Sequence, residues 1–169
     1  DVYKRQVVKE GTHIDVLIEV DIGHGRCGVD SAFAAIDLAR TIQQYHPHLR
    51  FAGIHAFRGS AQHLRQPQER AAAVTSAVEK VRSIVQELEA VGFPCLTITG
   101  GGTGTYMHEA DSALYTEVQP GSYVLMDTDY AANKLEAGSK PLQHALFGLC
   151  TVISVQDGHA VLDLSLIHI

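Results

Sequence analysis

The stretch Thr99-Gly100-Gly101-Gly102-Thr103-Gly104-Thr105 carries the clearest chemistry in the chain, and it follows a short apolar run, Cys95-Leu96-Thr97-Ile98, that reads as a buried strand. A glycine-rich turn at the end of a strand leaves backbone N–H groups free to point at an anion, and threonine hydroxyls add further donors. That combination suits a phosphate or a phosphorylated ligand; a flexible turn is the other reading of the glycines alone. Three more polar clusters follow or precede apolar runs: Asp21-Ile22-Gly23-His24-Gly25-Arg26-Cys27-Gly28, Arg58-Gly59-Ser60-Ala61-Gln62-His63 and Gln119-Pro120-Gly121-Ser122-Tyr123. In the first, Gly23-x-Gly25-x-x-Gly28 fits a dinucleotide-binding pattern. Such a site also wants an acid near the end of the next strand for the ribose hydroxyls, and that strand ends Ala56-Phe57-Arg58 instead. Arg58 could take a 2′-phosphate, so an NADP-binding domain stays open, although it leaves the richer glycine loop unexplained.

The elements that must hold these clusters alternate in period. Residues 14–20 are rich in Ile, Val and Leu and predict a strand; Asp30-Ser31 can cap a helix whose Ala32, Ala35, Ile36, Ala39 and Ile42 share a face before Pro47. Residues 51–57 predict the next strand, with His55 on the face of Phe51, Gly53 and Phe57. Pro67 opens a long helix with Val74, Val78, Val81, Val85 and Leu88 in one stripe, ended by Gly92 and Pro94. A third strand spans 95–99, and a fourth is expected near 123–126. Each unit takes roughly 40 residues, the spacing of right-handed βαβ crossovers in a parallel sheet. In such folds ligands bind at the carboxyl ends of the strands, where all four clusters fall. After Pro141 the style changes: 145–155 and 160–162, separated by Gln156-Asp157-Gly158-His159, predict an antiparallel hairpin.

Asp1-Val2-Tyr3-Lys4-Arg5-Gln6 can be encoded by GAT GTG TAT AAG AGA CAG, whose reverse complement encodes Leu164-Ser165-Leu166-Ile167-His168-Ile169. One inverted DNA sequence, the recognition end of a transposase used to make sequencing libraries, thus accounts for both ends. Residues 1–6 and 164–169 are therefore expected to be translated adapter flanking an internal piece of a longer protein. Without them the chain is one unit more acidic than its formal −6. An acidic chain with no basic run is a poor partner for nucleic acid or an anionic membrane surface. No apolar run is long enough to span a bilayer. Cys27, Cys95 and Cys150 are odd in number and far apart, which suits reduced thiols in a cytoplasmic protein better than a disulfide framework or a zinc cluster.

Four motifs in order, 19–29, 59–63, 99–106 and 115–127, resemble the successive signatures of bacterial D-threonine aldolases, pyridoxal-phosphate enzymes of the alanine-racemase-like type close to the D-serine dehydratases. The likeness covers nearly all of 7–163. It implies an α/β architecture in which 7–140 form the second half of a cofactor-carrying (β/α)8 barrel and 141–163 begin a β-domain. It implies retro-aldol cleavage of D-threonine and related D-β-hydroxy amino acids to glycine and an aldehyde. D-serine dehydration is the runner-up, and a non-catalytic pyridoxal-phosphate protein is a more distant alternative.

By the same resemblance, Arg26 matches the arginine near the cofactor's phenolic oxygen. His55 would reach the rim near the ring nitrogen, where dehydratase relatives carry a tyrosine; a core histidine is the competing reading. Gln62 matches a position lining the cofactor. His63 matches the general base for the substrate hydroxyl, a task suited to an imidazole of near-neutral pKa, against the competing reading of a surface histidine. Thr103, Gly121 and Ser122 match phosphate contacts, with Gly101, Gly102 and Gly104 in the loop that supplies backbone donors. His24, His46, His48, His108 and His144 have no comparable placement. The lysine that bonds the cofactor is expected before Val7, and none of Lys9, Lys80, Lys134 or Lys140 fits its motif. The ligands of a divalent metal, manganese or similar, are expected beyond Asp163. The segment alone is therefore expected to turn over no substrate, and the whole protein is expected to be a homodimer.

Overall fold

The computed structural model describes residues 2–164, so Asp1 and the adapter-like residues 165–169 lie outside the described residues. A helix, α1 (Val2–Glu10), precedes four strands: β1 (Ile14–Glu19), β2 (Leu49–His55), β3 (Thr97–Gly100) and β4 (Glu117–Val118). They form one sheet in the order β1-β2-β3-β4, every pair parallel. Helices α2 (Ala32–Gln43) and α3 (Pro67–Ala90) make the first two crossovers, and the short α4 (Tyr106–Asp111) makes the third. This is the α/β arrangement that the barrel expectation requires.

Local chemistry sets both long helices. Ser31 Oγ accepts the Ala34 N–H at the start of α2. Pro67 occupies the first turn of α3, where Gln66 and Glu69 form a reciprocal capping box. The stripe of α3 buries Ala77, Val81, Ile84, Val85 and Leu88 against Ala35 and Ala39 of α2 and one face of the sheet. On that face Ile18, Ile54 and Ile98 lie in register across three strands and are almost wholly buried. Each such side chain contributes about 1.5–3 kcal/mol by leaving water.

The other face carries a polar row, Glu19, His55, Thr99 and Glu117, paired across all four strands. Its phase in β2 is set by a bulge. Val16 pairs with Phe51, but Leu17 pairs with Gly53, so β2 holds one extra residue. Phe51 therefore falls on the helix side, edge-on to Phe93 with ring centroids 5.9 Å apart, not on the face of Gly53 and His55 as simple alternation predicts. Gly53 is required here: its φ is +142°, and a Cβ would fall 1.9 Å from the Thr97 carbonyl oxygen.

Two expected strands are corrected. The fourth strand is Glu117–Val118, and the apolar run expected near 123–126 is an exposed 3₁₀ turn, Ser122–Val124. The ladder ends early because Gln119 N–H already closes on the Gly100 and Gly101 carbonyls, Pro120 has no N–H to continue it, and Met126 N–H turns back to the Ser122 carbonyl. The C-terminal hairpin is present as antiparallel β5 (Val152–Gln156) and β6 (His159–Leu162), but β5 begins seven residues later than expected. A short α5 (Thr128–Ala131) lies between these regions.

Leu149, Ile153 and Val155 are exposed, and β1 and β4 each pair on one side only. Unpaired edges and uncovered apolar side chains drive association. The isolated chain is therefore expected to bind a hydrophobic dye and to elute as concentration-dependent oligomers. A sharp monomer peak with a steep cooperative melt would contradict this. No helix among the described residues is long and apolar enough to cross a membrane.

Candidate active site

At the end of β1 the chain folds back on itself: Asp21 N–H reaches the Val29 carbonyl and Val29 N–H reaches that of Glu19. Within this loop Asp21 Oδ1 accepts the N–H groups of Gly23 (2.9 Å), His24 (2.9 Å) and Gly25 (3.1 Å). The Gly25 N–H and its two neighbours hold the Asp21 carboxyl below the usual carboxylate range. The donors that a pyrophosphate would need are thus taken by the chain's own carboxylate. Arg58 is committed as well, donating to the Ala73 carbonyl at 2.8 Å and packing against Gly23. The first half of the dinucleotide pattern therefore closes a loop on Asp21 instead of presenting its N–H groups outward.

Beside this loop the polar row is linked side chain to side chain. Arg26, with its side chain 61% exposed, lies 3.5 Å from Glu19 Oε1. The same oxygen is 3.8 Å from His55 Nδ1. His55 Nε2 is 3.3 Å from Gln119 Oε1, Gln119 Nε2 donates to Thr99 Oγ1 at 2.9 Å, and Thr99 Oγ1 donates to Glu117 at 2.6 Å. Phe57 stacks nearly parallel to the His55 ring, 6.5 Å between centroids. His55 is therefore a half-buried, polar-paired side chain at the rim and not part of the apolar core.

The glycine loop packs directly on the turn after β2. A Cβ on Gly100 would fall 2.1 Å from the Ala56 carbonyl oxygen, on Gly102 2.5 Å from Gln62 Oε1, and on Gly104 2.2 Å from the Gln62 carbonyl oxygen. Gly101 has φ +69°. Gln62 is buried and its amide is wholly engaged: Nε2 donates to Thr105 Oγ1 (2.8 Å) and Oε1 accepts the Gly104 N–H (3.0 Å). Gln62 thus props the loop from behind, and Gly104 is needed for close approach, its own N–H being taken. Beneath them Thr105 Oγ1 donates to Glu109, a buried carboxyl whose pKa desolvation raises. The N–H groups of Gly102, Thr103, Gly121 and Ser122 have no acceptor among the described residues. The two loops that carry the four free donors are joined where Tyr123 N–H donates to Thr103 Oγ1 at 3.1 Å.

His63 follows Gln62, the residue that props this cradle. Its Nδ1 is 2.7 Å from Asp129 Oδ2, and its ring lies 4.5 Å from that of Tyr130, tilted by 43°. Arg65 pairs with Asp129 and donates to its carbonyl and to Asn133 Oδ1, each at 2.7 Å. Asn133 Nδ2 in turn donates to the Gln62 carbonyl at 2.8 Å. The sequence reading placed Thr99 and Gln119 in polar clusters without giving either a role, and it missed Asp129, Tyr130 and Arg65. For α5 a local signal existed: Asp127 Oδ1 caps its first turn by accepting the Tyr130 N–H, which places Asp129 on a short helix at the rim.

The chain is similar to known proteins in sequence and in fold. The chain is 45% identical over 148 residues to a D-threonine aldolase from Arthrobacter sp, covering 88% of this chain and 38% of that protein. It is 37% identical over 165 residues to a 3-hydroxy-D-aspartate aldolase from Paracoccus denitrificans (strain Pd 1222), covering 94% of this chain and 42% of that protein. The chain thus spans well under half the length of these relatives. The crystal structure of D-threonine aldolase from Filomicrobium marinum superposes with a TM-score of 0.88 at 37% identity, over 95% of this chain and 44% of that one. The model of the alanine racemase N-terminal domain matches residues 1–129. With parallel strands that deliver their polar loops to one rim and that match over most of its length, the chain belongs to the alanine racemase N-terminal domain family.

Proposed function

We propose that the protein carrying this segment is a pyridoxal-phosphate-dependent lyase that cleaves D-threonine and related D-β-hydroxy amino acids to glycine and an aldehyde. The observation that carries this reading is the cradle on the rim, where the N–H groups of Gly102, Thr103, Gly121 and Ser122 are free. That donor set fits a phosphate dianion, and the close approaches of Gly102 and Gly104 to Gln62 hold the loop that carries half of it. The aldolase relatives support the choice of reaction.

When bound, the cofactor supplies an electron sink for the substrate's Cα. The chain's own residues do the rest. The two loops fix the phosphate and so the orientation of whatever is attached to it. Arg26 is exposed and only loosely paired with Glu19, so its guanidinium donors can face an oxyanion. His63 Nε2, which carries no bond to another described residue, accepts the β-hydroxyl proton as the Cα–Cβ bond breaks and the aldehyde departs. Among the described residues no group of three or more His, Cys, Asp or Glu could hold a metal ion.

The full-length protein, supplied with pyridoxal phosphate and D-threonine, is expected to release acetaldehyde and glycine in equal amounts. Ammonia without aldehyde would replace this reading with the dehydratase one. Thr103→Val is expected to weaken cofactor binding by about 1.5–3 kcal/mol, the worth of a hydrogen bond to a charged group, with activity recovered at high cofactor concentration. An unchanged cofactor titration would remove Thr103 from the cradle.

A further inference from the structure

We propose that Asp129 is the positioning residue that turns His63 into a base, by holding the imidazole in the tautomer that leaves Nε2 free to accept a proton. The proposal rests on the lyase reading and names a residue of the same site. The carboxylate oxygen Oδ2 is 2.7 Å from His63 Nδ1, a distance at which Nδ1 donates its proton to the carboxylate. The lone pair then sits on Nε2. Three contacts make this arrangement a fixed one. Arg65 grips the other carboxylate oxygen and the Asp129 backbone carbonyl, so the carboxylate is held from two directions. The Tyr130 ring lies against the imidazole at 4.5 Å and limits its rotation. Asn133 bonds the Gln62 carbonyl, tying the segment after α5 to the residue that precedes His63.

The charges agree. The charged or titratable groups facing His63 are Asp129 and Tyr130 from α5 and Arg65 from its own turn. The hydrogen bond from Arg65 holds the Asp129 carboxyl below the usual carboxylate range, so it stays ionised over the range in which an imidazole titrates. An ionised carboxylate on Nδ1 balances the charge that forms on the ring when Nε2 takes a proton. Asp129 also belongs to a different loop from His63, so the base is assembled only when the segment carrying α5 docks on the turn after β2.

The test is Asp129→Asn in the full-length, cofactor-loaded protein, read as kcat and KM for D-threonine across pH. The expected result is a fall in kcat of about 10- to 1,000-fold with KM little changed, as for loss of a group that orients a catalytic imidazole. The acid limb of the kcat profile should move to lower pH, because the imidazolium loses its carboxylate; Asp129→Glu should restore much of both. In a His63→Ala background Asp129→Asn should cost nothing further. An unchanged profile in Asp129→Asn, or an equal loss with and without His63, overturns the proposal while leaving the lyase reading intact; full activity of His63→Ala overturns the base reading itself. The ¹⁵N shifts of the His63 ring in the unaltered protein read the tautomer with no substitution. A proton on Nδ1 is expected, and a proton on Nε2 overturns the proposal even if Asp129→Asn fails to fold.

Discussion

His63→Ala in the full-length protein is expected to lower kcat for D-threonine cleavage by about 10²–10⁴-fold, the usual worth of a positioned general base, while cofactor affinity stays close to that of the unaltered protein. The asymmetry follows from how the rim is built. The free N–H donors belong to Gly102, Thr103, Gly121 and Ser122, and the loop that carries the first two is held by Gln62, not by His63. The imidazole instead leans on Asp129 and Tyr130. Removing it takes away the proton acceptor and leaves the cradle standing. Aldehyde release and cofactor absorbance after dialysis measure the two effects separately. Loss of the cofactor with a normal residual kcat would make His63 a holding residue and send the search for the base elsewhere.

The second large effect is expected from Gly104→Ala. The added Cβ would lie 2.2 Å from the Gln62 carbonyl oxygen, a backbone atom that cannot swing away, and the Gly104 N–H that bonds Gln62 Oε1 would have to move with it. Crowding of this kind costs about 1–3 kcal/mol. If the cradle bears that cost, the cofactor dissociation constant rises by about 5- to 150-fold. Gly121→Ala is the control from the facing loop, since nothing lies within 4 Å of its added Cβ. It should change cofactor affinity little, because an alanine keeps the backbone N–H. Equal losses in the two variants would mean that the cradle is not shaped by the contact between Gly104 and Gln62.

The helices were legible in the sequence because their signals are local. The Ser31 cap, Pro67 and the apolar stripes from Ala32 to Ile42 and from Val74 to Leu88 specify α2 and α3 through contacts three or four residues apart. The same locality made the glycine-rich turn after β3 readable from the sequence. Where alternation was interrupted, the reading failed: the extra residue opposite Val16 and Leu17 turned Phe51 to the helix side, and the apolar run near 123–126 became an exposed turn.

Two patterns needed the fold before their meaning changed. Gly23-x-Gly25-x-x-Gly28 looks like an anion site on paper, yet its donors close on Asp21. Gln62, expected to line the cofactor, also props the glycine loop, with both polar atoms of its amide bonded within the protein. In both, the deciding partners are hydrogen bonds that composition cannot reveal.

By itself the sequence determined a parallel α/β chain with its chemistry at the strand ends, because period and glycine content act over a few residues. Only the tertiary structure decided how that chemistry is wired. Glu19, His55, Thr99 and Glu117 become one row through strand pairing. His63 and Asp129 meet across a separation of 66 residues, when α5 docks on the turn after β2. A contact at that separation is fixed by the packing of whole elements, and a lone sequence carries no periodic signal for it.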